Sequence, residues 1–174
     1  GTDVGLMVCD DPTVASAMVL TANASAAAPI RVCREAVALD RVRAAVVNSG
    51  NANAETGEKG YQDAYDMCRR AADALGLGND EVAVAETGTI GVPLPIAAVL
   101  EGIDAAAGSL SPNGGLDFSA AITTTDRWPK RVTLRIDGVT VSAQAKGAGM
   151  IEPRMATMLC FVQTDAVVAD PAAE

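Results

Sequence analysis

Histidine is absent from the 174 residues of this chain. A catalytic pair in which imidazole deprotonates a serine or cysteine therefore cannot be formed from these residues. Zinc sites that need imidazole ligands are excluded for the same reason. If the chain carries out chemistry, its general base must be another group.

Aromatic residues, basic residues and long apolar runs are also scarce. Aromatic residues make up 3% of a chain that is 49% hydrophobic, so the core must be built from Ala, Val, Leu, Ile and Met. The 13 basic residues are scattered and the net charge is −9, which argues against nucleic acid as a partner, because phosphate binding needs clustered Lys and Arg. No apolar run approaches the ~18 residues of a membrane helix, so no membrane partner is predicted.

Four cysteines, Cys9, Cys33, Cys68 and Cys160, form no CxxC pair. They lie in apolar or helical contexts, which is typical of reduced, buried thiols and predicts a cytoplasmic protein. No secretory signal is visible, and the sequence begins inside a predicted strand. The length fits one domain, residues 1–174.

Apolar periodicity and turn residues predict a mixture of strands and helices. Strands are expected at 3–9, 15–20, 42–48, 81–86, 131–136, 139–145 and 157–165, and helices at 61–75, 95–108 and 115–122. The Asp137-Gly138 pair predicts a tight hairpin turn. Hairpins mixed with helices favour a layered α+β fold over a doubly wound parallel sheet.

The stretch "AKGAGMIEPRMATML" places Thr157 after a glycine-rich loop and before an apolar run. A threonine hydroxyl is a weak nucleophile without a base. The α-amine of Thr157, with an ordinary pKa of about 7.7–8.0, would suit that role once the Ala156–Thr157 bond is broken. Attack of the Thr157 hydroxyl on the Ala156 carbonyl, followed by ester hydrolysis, would free the amine. The alternative is that Thr157 simply begins a buried strand, which is the commoner role of an Ala-Thr pair.

Three further positions have similar chemistry. "ETGTIG" places Thr87 and Gly88 in a glycine-containing turn, where a hydroxyl and backbone N–H groups can form an oxyanion hole. "TTTDRWPK" offers hydroxyls to a small polar ligand, and Lys146 could face a carboxylate. The alternatives are an ordinary strand-to-helix turn, a helix end and a solvated surface lysine.

Four ordered motifs together resemble the ornithine acetyltransferase family, also called the glutamate N-acetyltransferase family of arginine biosynthesis. They are "NSGNANAETG", "ETGTIGVPLP", "AITTTDRWPK" and "AKGAGMIEPRMATML". The resemblance implies a layered α/β structure of the self-processing N-terminal-nucleophile type, with two stacked mixed sheets flanked by helices. It also implies that this chain is a fragment covering the first chain of the cleaved protein and the start of the second.

The resemblance also implies a mechanism. Thr157 matches the nucleophile, with self-cleavage between Ala156 and Thr157. Thr87 and Gly88 match the oxyanion hole, and Thr124 and Lys146 match substrate-binding positions, where Thr157 also binds substrate. An acetyl group would pass from N-acetylornithine to Thr157 and then to glutamate, without metal or other cofactor. Whether acetyl-CoA also serves as donor stays open.

The resemblance implies partners as well: the two small-molecule substrates, the remainder of the second chain, and a heterotetramer of two cleaved pairs. Two alternatives stay open. The first is an N-terminal-nucleophile aminopeptidase or amidohydrolase, in which water replaces the amine acceptor. The second is a catalytically silent binding domain that keeps the fold and is never cleaved.

Overall fold

A computed structural model describes residues 3–149 and 157–167, which form two three-stranded sheets and four α-helices. In chain order the elements are β1 Val4–Val8, α1 Ala28–Ala36, β2 Ala44–Asn51, α2 Gly57–Leu75, a 3₁₀ turn at Asn79–Glu81, β3 Val82–Thr89, α3 Ile96–Gly108, α4 Gly115–Ala121, β4 Lys130–Ile136, β5 Val139–Lys146 and β6 Leu159–Thr164. The predicted layered α+β fold is confirmed.

The first sheet has the order β1-β2-β3, with β2 antiparallel to β1 and parallel to β3. Its side chains alternate between two buried faces. Val46 and Val84 pack with α1, α2 and α3, whereas Val47 and Ala85 pack toward α4. Because β2 and β3 are parallel, their carboxyl ends meet at one edge of the sheet.

The second sheet is antiparallel, with the order β4-β5-β6. The predicted hairpin turn joins β4 to β5, and Asp137 and Gly138 both have positive φ, at 51° and 89°. Helix α4 lies between the two sheets. The Phe118 ring packs edge-on against Phe161 of β6 with centroids 5.2 Å apart, and Gly5 of β1 makes room for the same ring. Helix α4 therefore packs against both sheets.

The strand predicted at 15–20 is wrong. Ser16 instead binds the loop before β2: its Oγ donates to the Leu39 carbonyl at 2.8 Å and accepts the Val42 N–H at 2.7 Å. The segment therefore lies along that loop and does not pair with a strand, and Val19 is 99% exposed. A segment with alternating apolar residues forms a β-strand only where another strand can pair with it.

Helix α1 was not predicted from the sequence. Its nine residues are too few for a clear helical period, and its signals were Pro29 in the first turn and the buried pair Val32 and Cys33. Helix α2 begins at Gly57, before the predicted start, and ends as predicted at Gly76, which has φ +67° and donates its N–H to the Ala72 carbonyl.

One face of the second sheet is apolar and open. Val132 and Leu134 of β4 are 50% and 51% exposed, and Val162 of β6 is 62% exposed. These residues share a face, because Val132 pairs with Ala143 and Ala143 pairs with Val162. Nothing in residues 3–149 and 157–167 covers this apolar face. No helix in the same ranges is long and apolar enough to span a membrane.

Candidate active site

The carboxyl ends of β2 and β3 open into a cavity of about 520 Å³ between the two sheets. This is the position where ligands bind in many sheets with parallel strands. The cavity is lined mainly by small hydroxyl and glycine residues from both sheets: Ser49, Gly50, Thr87, Gly88, Thr89, Thr123, Thr124, Thr125, Ala148, Gly149 and Thr157, with the charged residues Asp3 and Lys146.

Five residues singled out from the sequence line this one cavity: Thr87, Gly88, Thr124, Lys146 and Thr157. They come from β3, from the turn after α4, from the end of β5 and from the residues before β6. Thr157 is half-buried and lies two residues before β6 begins at Leu159. The predicted cleavage partner, Ala156, falls outside the described residues.

Thr87 and Gly88 occupy the end of β3, where the backbone of β2 approaches closely. Gly88 has φ +137°, and a Cβ added there would lie 2.2 Å from the carbonyl carbon of Gly50. No other residue fits this position without displacing the neighbouring strand. Thr87 is 1% exposed and lines the cavity.

Lys146, the last residue of β5, donates from Nζ to Thr87 Oγ1 at 2.8 Å. Lys146 is 5% exposed, and burial lowers the pKa of its ammonium below the ordinary value. An ammonium has no acceptor, so Thr87 is the acceptor in this bond and its hydroxyl hydrogen remains free to be donated. The cavity that both residues line is one place where that donation can occur.

Glu86 lies on the other face of β3, away from the cavity, with Val84 and the helices. Glu86 is 5% exposed; its Oε1 accepts from Asn53 Nδ2 at 2.8 Å, and its Oε2 accepts from Asn48 Nδ2. Burial raises the pKa of Glu86 to about 7, although both amide donors favour the ionised form. Asn48 and Asn53 belong to "NSGNANAETG", so part of this motif binds β3 on the face opposite the cavity.

Several residues at the site were missed by sequence reasoning. Ser49 and Gly50 line the cavity beside Thr87 and Gly88, as their register in the parallel pair dictates. The Asp126 carboxylate accepts a hydrogen bond from Gly147, the residue after Lys146, and its charge raises the pKa of Lys146. Its only sequence signal was its position directly after three threonines. In the described part of the chain, no three His, Cys, Asp or Glu side chains converge as metal ligands would.

A family model described as the ArgJ family matches residues 1–174. The chain belongs to the ArgJ family. It is 51% identical to the arginine biosynthesis bifunctional protein ArgJ of Symbiobacterium thermophilum, over 95% of this chain and 42% of that protein. It is 47% identical to the protein of the same name from Streptomyces coelicolor, over 94% of this chain and 43% of that protein. This chain therefore spans about two fifths of the length of these ArgJ relatives.

Two solved ArgJ-family structures share the fold. Ornithine acetyltransferase from Mycobacterium tuberculosis, crystallised with ornithine, matches with a TM-score of 0.84 and 37% identity, over 90% of this chain and 84% of that chain. The arginine biosynthesis bifunctional protein argJ from Bacillus halodurans matches with a TM-score of 0.77 and 39% identity, over 90% of this chain and 83% of that chain. The family predicted from the four motifs is confirmed.

Proposed function

We propose that the complete gene product is an acetyltransferase of arginine biosynthesis that moves an acetyl group from N-acetylornithine to glutamate. The observation that carries this proposal is the shared cavity of Thr157, Thr87 and Lys146, which brings together a hydroxyl nucleophile, a hydroxyl donor and a cation. The names of the ArgJ relatives support a role in arginine biosynthesis, and the ornithine bound to the Mycobacterium tuberculosis acetyltransferase supports an ornithine-based substrate.

Self-cleavage prepares the nucleophile. The Thr157 Oγ attacks the Ala156 carbonyl carbon, the C–N bond of the peptide breaks as the hydroxyl proton passes to the nitrogen, and an ester links the two residues. Water then hydrolyses this ester, which leaves a carboxylate on Ala156 and restores the Thr157 hydroxyl beside its free α-amine. This amine, with an ordinary pKa of about 7.7–8.0, is the general base that the histidine-free chain otherwise lacks.

The first half-reaction transfers the acetyl group to the protein. The Thr157 amine accepts the hydroxyl proton while Oγ attacks the acetyl carbonyl of N-acetylornithine. The Thr87 hydroxyl and the backbone N–H at Gly88 stabilise the oxyanion that forms. The acetyl C–N bond breaks, the proton passes to the leaving amine of ornithine, and an acetyl ester remains on Thr157.

The second half-reaction reverses these roles with glutamate. Its neutral amine attacks the acetyl carbon, the same donors stabilise the second tetrahedral intermediate, the bond between the acetyl carbon and Thr157 Oγ breaks, and the amine proton passes to the Thr157 oxygen. Thr124 and Lys146 bind polar groups of the substrates, and Lys146 offers its charge to a carboxylate. The sequence of steps uses no metal or other cofactor, and acetyl-CoA is a candidate second donor for the same ester.

The proposal includes partners of this chain. The open apolar face of the second sheet, with Val132, Leu134 and Val162, supports packing against the remainder of the second chain. Two such cleaved pairs would form a heterotetramer. We place the protein in the cytoplasm, because all four cysteines lie in the described residues and are free thiols.

Expression of the complete gene product tests this function. Intact mass spectrometry should show two chains, the second beginning at Thr157, and Thr157→Ala should stay uncut. The cleaved protein should form N-acetylglutamate from N-acetylornithine and glutamate. Wild-type protein that transfers acetyl groups at full rate as one uncut chain would contradict the mechanism.

The same preparation separates the alternatives. Acetate released from N-acetylornithine without any need for glutamate would show a hydrolase. Protein that stays uncut and binds substrates without turnover would show a silent binding domain. Replacing N-acetylornithine by acetyl-CoA, with glutamate present, shows whether a second donor is used.

A further inference from the structure

Gly147 is held on both sides by one ion pair. Asp126 Oδ1 accepts the Gly147 N–H at 2.9 Å, and Lys130 Nζ donates to the Gly147 carbonyl at 2.9 Å. Lys130 Nζ also donates to the same Asp126 Oδ1, which closes the arrangement. We name these three residues the Gly147 clamp.

The clamp satisfies backbone groups that no strand pairs. Strand β5 ends at Lys146, and its pairing with β4 stops at Ala145 opposite Lys130. Gly147 is buried, so its N–H and carbonyl need partners other than water. The turn from Asp126 to Lys130 supplies both, from the motif that also places Thr124 in the cavity.

The clamp acts on the residue beside it. Lys146 precedes Gly147 in the chain, so the Gly147 backbone that the clamp holds sets where the Lys146 side chain begins. That side chain then reaches Thr87 Oγ1 at 2.8 Å. A lysine has four rotatable side-chain bonds, so a loose backbone at this point would let the ammonium leave the hydroxyl.

The clamp residues also act on Lys146 through charge. Burial lowers the pKa of Lys146; the Asp126 carboxylate raises that pKa and the Lys130 ammonium lowers it. The Asp126 side chain is 1% exposed, and its Oδ2 is buried without a hydrogen-bond partner among the described residues, so its charge is offset mainly by the two lysines and the Gly147 N–H. Among the other residues around Lys146, Asp3 is charged and lines the same cavity. Thr87 of β3 and Leu159 of β6 are uncharged.

We infer that Asp126 and Lys130 are positioning residues that fix Gly147 and thereby hold the Lys146 ammonium at the cavity beside Thr87. The consequence for catalysis rests on the proposed acetyl transfer, whereas the effect on Lys146 does not. Two substitutions separate geometry from charge, because both loosen the clamp but they change the charge near Lys146 in opposite senses.

The test uses Asp126→Asn and Lys130→Met in the complete gene product. Acetic anhydride modifies only the neutral amine, so the rate of Lys146 acetylation against pH, read by peptide mass spectrometry, reports its protonation without any enzyme activity. In Lys130→Met, loss of the Lys130 ammonium and release of Lys146 from its buried position both raise the pKa of Lys146, so the midpoint should move to higher pH. In Asp126→Asn the lost carboxylate lowers this pKa while release raises it, so the midpoint should lie below that of Lys130→Met. Turnover should fall in both, roughly 10- to 100-fold, because a donor is displaced from the reacting atoms.

Two controls make the result specific. Asp104→Asn removes an exposed ion pair with Arg70 on the helix layer and should leave both readouts unchanged. Lys130→Arg keeps the positive charge and the hydrogen-bond donors, so its midpoint should equal that of wild type. This variant distinguishes loss of the Lys130 charge from misfolding as the cause of a shift in Lys130→Met.

A Lys130→Met midpoint that stays at the wild-type pH, or an Asp126→Asn midpoint that equals or exceeds the Lys130→Met midpoint, would overturn the clamp. If the wild-type protein shows no acetyl transfer but the midpoints of the two variants still differ in the expected order, the clamp is supported and the proposed function is refuted.

Discussion

Lys146 and Thr87 lie 59 positions apart in the chain and meet at 2.8 Å between Nζ and Oγ1, at the wall of the cavity that also contains Thr157. The ammonium occupies one of the two acceptor lone pairs of the Thr87 oxygen, which favours the Thr87 hydroxyl as a donor. The contact joins two residues that the sequence suggested for separate roles, one for an oxyanion and one for a carboxylate. Lys146 is therefore a candidate both for orienting the oxyanion donor Thr87 and for binding a substrate carboxylate.

Thr87→Ala should lower turnover by about 10²–10³ and change substrate binding little, because an oxyanion donor acts chiefly in the transition state. Single-turnover measurements on cleaved protein should show the loss in both half-reactions. Thr87→Ser keeps the hydroxyl and should retain most of the rate. A cleaved and folded Thr87→Ala protein as fast as wild type would make Thr87 an ordinary turn residue.

Lys146→Met should raise the KM for N-acetylornithine and also lower kcat. The first effect follows from a lost charge-assisted bond to carboxylate, worth ~1.5–3 kcal/mol, and the second from the lost orientation of Thr87. Steady-state kinetics at several concentrations of both substrates separates the two. A change in KM alone would show that the contact with Thr87 is structural, and no change in either would remove Lys146 from the site.

Glu86 should make the protein less stable as pH rises. The folded state keeps the Glu86 proton up to a pKa of about 7, whereas the ordinary pKa of 4.5 applies to the unfolded chain. Between these values the folded state binds more protons, so the free energy of unfolding falls as pH rises, by roughly 3 kcal/mol at most, and the loss is complete above the folded pKa.

Urea unfolding of wild type and Glu86→Gln at pH 5 and pH 7.5 measures this effect. The Gln variant should lack the part of the pH dependence that Glu86 supplies. Glu101 is exposed on α3, and Glu101→Gln should keep the wild-type slope. Equal slopes in all three proteins would mean that Glu86 has an ordinary pKa in the fold.

Gly88→Ala should reduce the free energy of unfolding by more than about 2 kcal/mol, because the new Cβ combines an unfavourable φ with a clash against Gly50. Gly76→Ala provides the matched control: Gly76 also has positive φ, but a Cβ there meets nothing within 4 Å, so the loss should be about 1 kcal/mol. Denaturant unfolding of both variants gives the comparison. Equal losses would show that the strands do not approach as closely as described.

Leu134→Lys should weaken packing between the two chains of the complete protein, by about 1–3 kcal/mol, if the remainder of the second chain covers this face. Thr133→Lys places the same charge on the opposite face of β4 and should have a smaller effect. Native mass spectrometry and thermal unfolding measure association and stability. Wild-type behaviour of Leu134→Lys would show that this face stays in water.

Local patterns were sufficient for most elements. The three- and four-residue spacing of apolar positions predicted α2, and the Asp137-Gly138 turn between alternating residues predicted the β4–β5 hairpin. The absence of histidine predicts that Thr157 and its own amine form the reactive pair, and this stays a prediction. The predictions of α2 and of the hairpin succeeded because helix periods and turn conformations are properties of neighbouring residues.

The tertiary structure decided which of these residues meet. Residues 15–20 alternate like a strand but found no partner strand, because Ser16 binds the loop before β2. Glu86 and Thr87 are adjacent in sequence yet face opposite layers, since the side-chain period of a strand is two. The contacts of Lys146 with Thr87 and of Asp126 with Gly147 join segments far apart in the chain, and such contacts depend on strand order and register, which local periodicity does not encode.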